Sequence, residues 1–441
     1  MKITFVGAGS YGFTLKLIVD IFNFEALKDA ELALMDVDQE RLDDMKLILD
    51  EYFKRINYNK KVVYTKSLEE AVDGTNFVFN LVRIGFLKGS EQDMDIPKKY
   101  GLFQTVGDTS GVGGIFRGLR TMIHTMELCK AVEKVGAPGA VILNYTNPQM
   151  MLVMAANAAA KVPYIGLCHS VQGTTRQIAN YIGVPYEELN YDAAGINHMN
   201  WITRLERNGE DLYPLFRSLV KERGIFEPSQ DDEDDIRAKL GPVRLDMLGR
   251  VGYMVSESSH HFSEYVPFYL RTQETRDQYK IPIDRYKWNI ARKQKHQEEL
   301  LEGVRKGQLP EMEKSVEYGS GIVNAMVTNV PYKIYGNVMN KGLVTNLPES
   351  CAVEVACLVD KNGVTPCHYG KLPTQLASLC KMEISVHQLA LEAVLKRDRR
   401  YVYWSMMADP VTHSVLTLDQ MEKLADELIE THKEYFEGYF I

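Results

Sequence analysis

The sequence predicts an α/β chain, with a doubly wound parallel sheet over residues 1–195 and a mostly helical α+β domain over 196–441. Three observations carry that expectation. Short β-rich runs alternate with stretches of helical apolar spacing through the first third. A glycine triplet sits between the first run and the first helix. After about residue 195 the alternation gives way to longer helical patterns.

In chain order, Lys2–Val6 reads as the first strand and Tyr11–Phe22 as the first helix. Glu31–Met35 and Asp38–Phe53 repeat the pair, and Phe77–Val82, Ala140–Asn144 and Tyr164–Leu167 read as buried strands. Such a βαβ rhythm places helices on both faces of a parallel sheet. In the second half, helical spacing marks Asp235–Arg250, Lys287–Lys306, Ile384–Lys396 and Leu418–Tyr435. Tyr332–Tyr335 and Ala352–Leu358 are β-like pieces between them. The acidic stretch Gln230–Asp235 reads as a solvated loop or helix N-terminus rather than a cation site.

Composition narrows the function classes. The chain has 441 residues, 45% of them hydrophobic, and a net charge of −8 with no basic run, so nucleic acid is not an expected partner. No apolar run spans a bilayer, and the apolar start breaks at Gly7 without a cleavage signal, so a cytoplasmic protein with no membrane partner is expected. Six unevenly spaced cysteines do not form a secreted disulfide framework.

Gly7, Gly9 and Gly12 form G-x-G-x-x-G directly after the first strand, with Ser10 inside the loop. Gly7 permits the tight turn, Gly9 lets backbone approach a pyrophosphate, and Gly12 lets helix pack on strand. Asp36 ends the second strand and is placed to bond adenosine ribose hydroxyls, which favours NAD over NADP. This is a Rossmann-like fingerprint, and it names a cofactor but no reaction.

Cys168 follows the strand Tyr164–Leu167, Asn147 follows Ala140–Asn144, and His198 lies in GINHMNW. Ligands bind at the C-terminal ends of parallel strands. A thiolate and an imidazole together suit a borderline divalent metal, and two protein ligands leave positions open for substrate. The alternative is that both are packed core residues.

These segments, together with IPKKYGLFQTVGDTSGVGGIFRGLR, NYTNP, GLCHSVQGT, SESSHHFSEY, YGNV, GLVTNLP and VEVACLVD, resemble glycoside hydrolase family 4 over nearly the whole chain. The likeness is greatest to the α-galactosidase branch. The resemblance implies hydrolysis of α-glycosides through NAD-dependent oxidation at C3, metal-assisted removal of the C2 proton, elimination of the aglycone, water addition and return of the hydride. It implies Cys168 and His198 as ligands of a divalent metal, Mn foremost. Asn147, Asp108 and Arg83 would bind the sugar and Tyr265 would be the C2 base; His169 stands where the family's phospho-sugar branch often has Asp or Asn, a departure that suggests His169 itself as the general acid, or help from metal-bound water. A phenol with a pKa near about 10 needs a nearby cation for that role. Tyr269, His260 and His261 are neighbouring candidates for base or relay. An exposed thiolate of low pKa at Cys168 would call for added thiol.

Ser90 stands where phosphoglycosidases of the family carry Arg, which implies an unphosphorylated sugar. Arg83 keeps α-galacturonidase or α-glucuronidase open as the alternative substrate class. The resemblance also implies a homodimer or homotetramer. The rival classes are an NAD-dependent 2-hydroxy-acid dehydrogenase, which would accumulate NADH, and an inactive nucleotide-sensing protein.

Overall fold

The computed structural model describes residues 1–226 and 239–440. Its strands are β1 Lys2–Val6, β2 Glu31–Met35, β3 Val62–Thr65, β4 Phe77–Asn80, β5 Val141–Asn144, β6 Tyr164–Leu167 and β7 Asn190–Ile196. They continue with β8 Met199–Arg207, β9 Glu210–Asp211, β10 Met254–Val255, β11 Tyr332–Met339, β12 Ala352–Asp360 and β13 Gly363–Pro366. All thirteen belong to one sheet, ordered β10-β8-β7-β12-β11-β6-β5-β4-β1-β2-β3, with β13 on β12 and β9 on β8.

The segment β3-β2-β1-β4-β5-β6 is wholly parallel. Helices α1 Tyr11–Phe22, α2 Gln39–Ile56, α3 Leu68–Val72, α4 Phe86–Lys98, α5 Gly111–Val135 and α6 Gln149–Ala159 provide its crossovers, and α7 Ser170–Ile182 leads on from β6 to β7. Apart from the half-buried edge strand β3, its strands are buried nearly throughout, as sheets covered on both faces must be. The order of strand addition reverses between β1 and β4, and a sheet of this kind binds ligands at the C-terminal ends of its strands beside that point. Asp38 and Ser67 cap α2 and α3 by accepting from Arg41 and Glu70 backbone N–H.

The second half extends the same sheet. β11 pairs antiparallel with β6 through Gly336–Leu167 and Asn337–Gly166. β12, β7, β8 and β10 follow, also antiparallel. β11 runs to Met339, beyond the sequence-expected Tyr335, because pairing with β6 and β12 overrides the weak strand preference of Gly336 and Asn337. The helix Thr374–Lys396 starts ten residues before the expected Ile384, directly after Pro373, and buries Leu376, Ala377 and Cys380 on one face. The expected helices near 287–306 and 418–435 are Arg285–Arg305 and Leu418–Thr431, the latter opened by a Thr417/Gln420 capping box. Of the pattern Asp235–Arg250, the described part forms the helix Pro242–Val251. The acidic stretch Gln230–Asp235 lies outside the described residues. Among the described residues, no helix is long and apolar enough to cross a membrane.

Candidate active site

At the end of β1 the chain turns through Gly7 at φ 86°. A Cβ there would lie 2.8 Å from the backbone of Leu81 and Val82, so only glycine fits. Helix α1 then begins with no side-chain cap at Ser10 and no acid in its first turn. Its N-terminus is free for an anion. At Gly9 the structure differs from the sequence expectation. Its N–H donates to Asp36 Oδ2 at 2.8 Å, and the space a Cβ would fill is taken by Asp36 and Arg41. Gly9 thus draws Asp36 against the glycine loop. Arg41 donates to Gly9 O at 3.1 Å and lies 3.9 Å over the Phe86 ring. Together these features fit a dinucleotide whose ribose carries no phosphate. Asp36→Ala is expected to raise KM for NAD+ by about tenfold, the loss of a charge-assisted bond, and to narrow the preference over NADP+. Steady-state kinetics with both cofactors checks this.

The second cluster lies past the end of β6. Cys168, His198 and Glu257 bring one donor atom each within 4.8 Å of one another. Cys168 ends the parallel sheet, His198 forms the turn between β7 and β8, and Glu257 follows β10. His198 and Glu257 both hold positive φ, 62° and 70°, a strained conformation for residues with side chains that recurs at functional sites. His198 Nε2 is 3.4 Å from Glu257 Oε2. Burial lowers the His198 pKa to about 4 and keeps the ring neutral with a lone pair to give. Burial opposes charge on Glu257, but His198, His261 and His169 outweigh it and hold the carboxyl at about 2. A neutral imidazole, a carboxylate and a thiol are a donor set that fits a borderline divalent cation.

The thiol itself corrects an expectation. Cys168 is half-buried rather than exposed. Burial, then Glu354 and Glu257, push its pKa well above the ordinary thiol value. The protein alone therefore does not make it a thiolate, and a bound cation would have to do so.

Around this cluster stand the other expected residues. Asp108 Oδ2 lies 3.8 Å from Arg117 Nη1, and Oδ1 lies 3.8 Å from His261 Nδ1. Against the cost of burial, His261, Arg117, His198 and Arg83 keep Asp108 ionised. The His261 ring packs edge-on against His198, centroids 4.9 Å apart. Asn147 is fixed through its carbonyl, which accepts from Arg117 Nε at 3.1 Å. Arg83 Nη2 donates to Ser90 Oγ at 2.7 Å, while its buried Nε has no partner among the described residues. Tyr265 is 1% exposed, with its ring 6.4 Å from that of His198. Burial drives its pKa well up, with Glu383, Asp108 and Glu264 adding to the rise. Tyr269, by contrast, bonds Asp246 at 2.9 Å. His260 bonds Ser258 Oγ at 3.1 Å. His169 Nδ1 meets Glu317 Oε1 at 3.2 Å, and that bond raises the imidazole's pKa.

Sequence reasoning did not single out Glu257, Arg117 or Glu264. The Glu264 carboxylate Oε1 accepts from the backbone N–H of Thr105 (2.6 Å), Val106 (2.8 Å) and Gly107 (3.0 Å), clamping the loop that presents Asp108.

The chain is similar to known proteins over nearly its whole length. Residues 2–184 match the model of family 4 glycosyl hydrolases, and residues 193–412 match that of the family's C-terminal domain. An α-galactosidase of Bacillus subtilis (strain 168) is 36% identical over 441 residues, covering 99% of both chains. Among solved structures, the Bacillus subtilis protein lplD, described as a glucosidase, superposes with a TM-score of 0.86 at 26% identity. The match covers 97% of this chain and 99% of that one. A 6-phospho-α-glucosidase from gut microorganisms, solved with NAD and Mn2+, shares the fold with a TM-score of 0.84 at 20% identity and 98% coverage of each chain.

Proposed function

This chain belongs to family 4 of the glycosyl hydrolases, and on that footing we propose that it hydrolyses α-glycosides, α-galactosides foremost, with NAD and a divalent cation, Mn2+ first among them. The observation that carries the reading is the convergence of Cys168, His198 and Glu257 at the C-terminal edge of the sheet that also bears the glycine loop. When bound, NAD+ supplies a reversible hydride acceptor and the cation supplies Lewis acidity toward neighbouring sugar oxygens.

The chain's own residues have separable tasks. Residues 1–195 hold the nucleotide through Gly7, Gly9, Ser10, Gly12 and Asp36. Residues 196–441 contribute His198, Glu257 and Tyr265 to the sugar site. Cys168, His198 and Glu257 hold the cation. Asp108 and Asn147 orient sugar hydroxyls, their positions fixed by Arg117. Tyr265 accepts the proton from C2, and the cation must offset the carboxylates that disfavour its phenolate. His169, oriented by Glu317, donates a proton to the departing oxygen. With all six cysteines as free thiols, a reducing cytoplasm suits the enzyme. A homodimer or homotetramer is part of the proposal.

The alternative substrate, an α-galacturonide or α-glucuronide, rests on the Arg83 Nε that no described residue satisfies. Release of p-nitrophenol from the α-galactoside and from the α-glucuronide, with NAD+, Mn2+ and reductant each present or omitted, tests the proposal. Release from the galactoside that needs both NAD+ and Mn2+, without NADH accumulating, is expected. Steady NADH formation from a 2-hydroxy acid, with no release, would place the chain among dehydrogenases instead.

A further inference from the structure

His198 has a second ring nitrogen, and its partner is a residue that none of the roles above employs. Nε2 faces Glu257 Oε2 at 3.4 Å, on the side of the three-donor cluster. Nδ1 lies on the other edge of the ring, 3.3 Å from Thr109 Oγ1. The Thr109 hydroxyl in turn donates to Asp108 Oδ1 at 3.3 Å. Ring and hydroxyl are both enclosed, His198 at 4% exposure and Thr109 at 2%. The Tyr265 side chain is a further hydrogen-bonding neighbour of Thr109.

The chemistry of a neutral imidazole fixes the direction of this run. One ring nitrogen carries a proton and the other a lone pair. With Nε2 giving its lone pair to a cation, the proton sits on Nδ1 and needs an acceptor inside the protein. Thr109 Oγ1 accepts it. The hydroxyl's own proton goes to Asp108, which its cationic neighbours keep ionised. Imidazole, hydroxyl and carboxylate then form one chain of bonds. Such a chain holds a ligand ring in one orientation and makes its free nitrogen a better donor.

Thr109 is fixed from three directions. Just before it, Glu264 binds the backbone amides of 105–107. Just after it, Ser110 Oγ donates to Glu383 Oε1 at 2.9 Å. Behind it, α5 comes so close that a Cβ at Gly114 would lie 2.4 Å from the Thr109 carbonyl carbon. A surface threonine could turn its hydroxyl away, but this one is held against the imidazole. We propose that Thr109 is a positioning residue for the cation: its hydroxyl sets the tautomer and orientation of His198 and ties that ring to Asp108. The inference rests on the cation site proposed above.

The test uses Thr109→Val, which keeps the shape of the side chain and removes the hydroxyl, and Thr109→Ser, which keeps the hydroxyl. Calorimetric titration is expected to show Mn2+ affinity about 10- to 100-fold lower in Thr109→Val and close to wild type in Thr109→Ser. The visible absorption of the Co2+-loaded protein is expected to shift in Thr109→Val and to return in Thr109→Ser. NAD+ affinity is expected to stay near wild type in both, which general damage to the fold would not allow. Wild-type Mn2+ affinity in Thr109→Val, or an equal loss in Thr109→Ser, overturns the role of Thr109. If Thr109→Val does not fold, the wild type carries the test through NMR of isotope-labelled histidines in the Zn2+-loaded protein. The His198 signal is assigned by its loss in His198→Gln. A slowly exchanging Nδ1–H is expected, and a proton on Nε2 or a rapidly exchanging Nδ1–H overturns the proposal. Wild type that binds no Mn2+ sinks the cation site and Thr109's role with it, whereas binding that Thr109→Val leaves intact sinks the role alone.

Discussion

Glu257→Gln is expected to lower kcat for α-galactoside hydrolysis by about 10²–10³-fold and to weaken Mn2+ binding by about tenfold or more. The carboxylate is held at about 2 within a ring of imidazoles, so at neutral pH it contributes a full negative charge beside His198 and Cys168. Glutamine keeps the shape and removes that charge. It also replaces the carboxylate oxygen that lies 3.4 Å from His198 Nε2. Calorimetric titration with Mn2+ and steady-state kinetics on the same preparation check both effects. A variant that keeps wild-type turnover and wild-type Mn2+ affinity would remove Glu257 from the site. Tyr265→Phe in parallel separates proton transfer from ion binding: it is expected to abolish turnover while leaving Mn2+ affinity near wild type.

Relative to Glu354→Gln, the metal-free wild-type protein is expected to lose stability as pH rises from about 5 to 8, which is the contribution of the Glu354 carboxyl alone. Glu354 lies on β12, fully buried, with Oε2 accepting from Asn200 Nδ2 at 3.0 Å. Burial, reinforced by Glu257, raises its pKa to about 8. In the unfolded chain the same carboxyl ionises near its ordinary value of 4.5. Below that value both states are protonated and the contribution is complete. Between the two values the folded state holds a proton that the unfolded state has released, so each pH unit costs about 1.4 kcal/mol until the folded carboxyl ionises. Urea unfolding of metal-free protein at pH 6, 7, 8 and 9 measures the slope. Equal slopes in wild type and Glu354→Gln would mean that Glu354 is not the protonated group.

The parallel half of the fold was legible because local pattern and tertiary role coincide there. β1, α1, β2 and β6 have the bounds that periodicity gives, since each buries a continuous apolar run. Cys168 was legible for the same reason, as the first polar position after a buried strand. Glu257 was not. It follows a strand of only two residues, one acid among 59 acidic side chains, and only its backbone conformation sets it apart. Arg117 is hidden in the interior of α5, where one cation looks like any solvated face. The thiol's environment was misread because burial and two nearby carboxylates come from β12 and the segment after β10, remote in sequence. Sheet continuity past β6 depends on pairings of Gly336 and Asn337, which no local propensity announces.

That continuity has a mechanical consequence. Within the sheet the two halves of the chain join along a seam where β11 and β6 share two register pairs, and around that junction their helices share one hydrophobic core. Cys168 stands on one side of the seam, and His198 and Glu257 stand on the other. A cation gripped by all three is at once a reagent and a rivet: its binding energy is folding energy for the joint between nucleotide half and sugar half. Stripping the ion is thus expected to lower the stability of the junction, while the shared core still holds the two halves together.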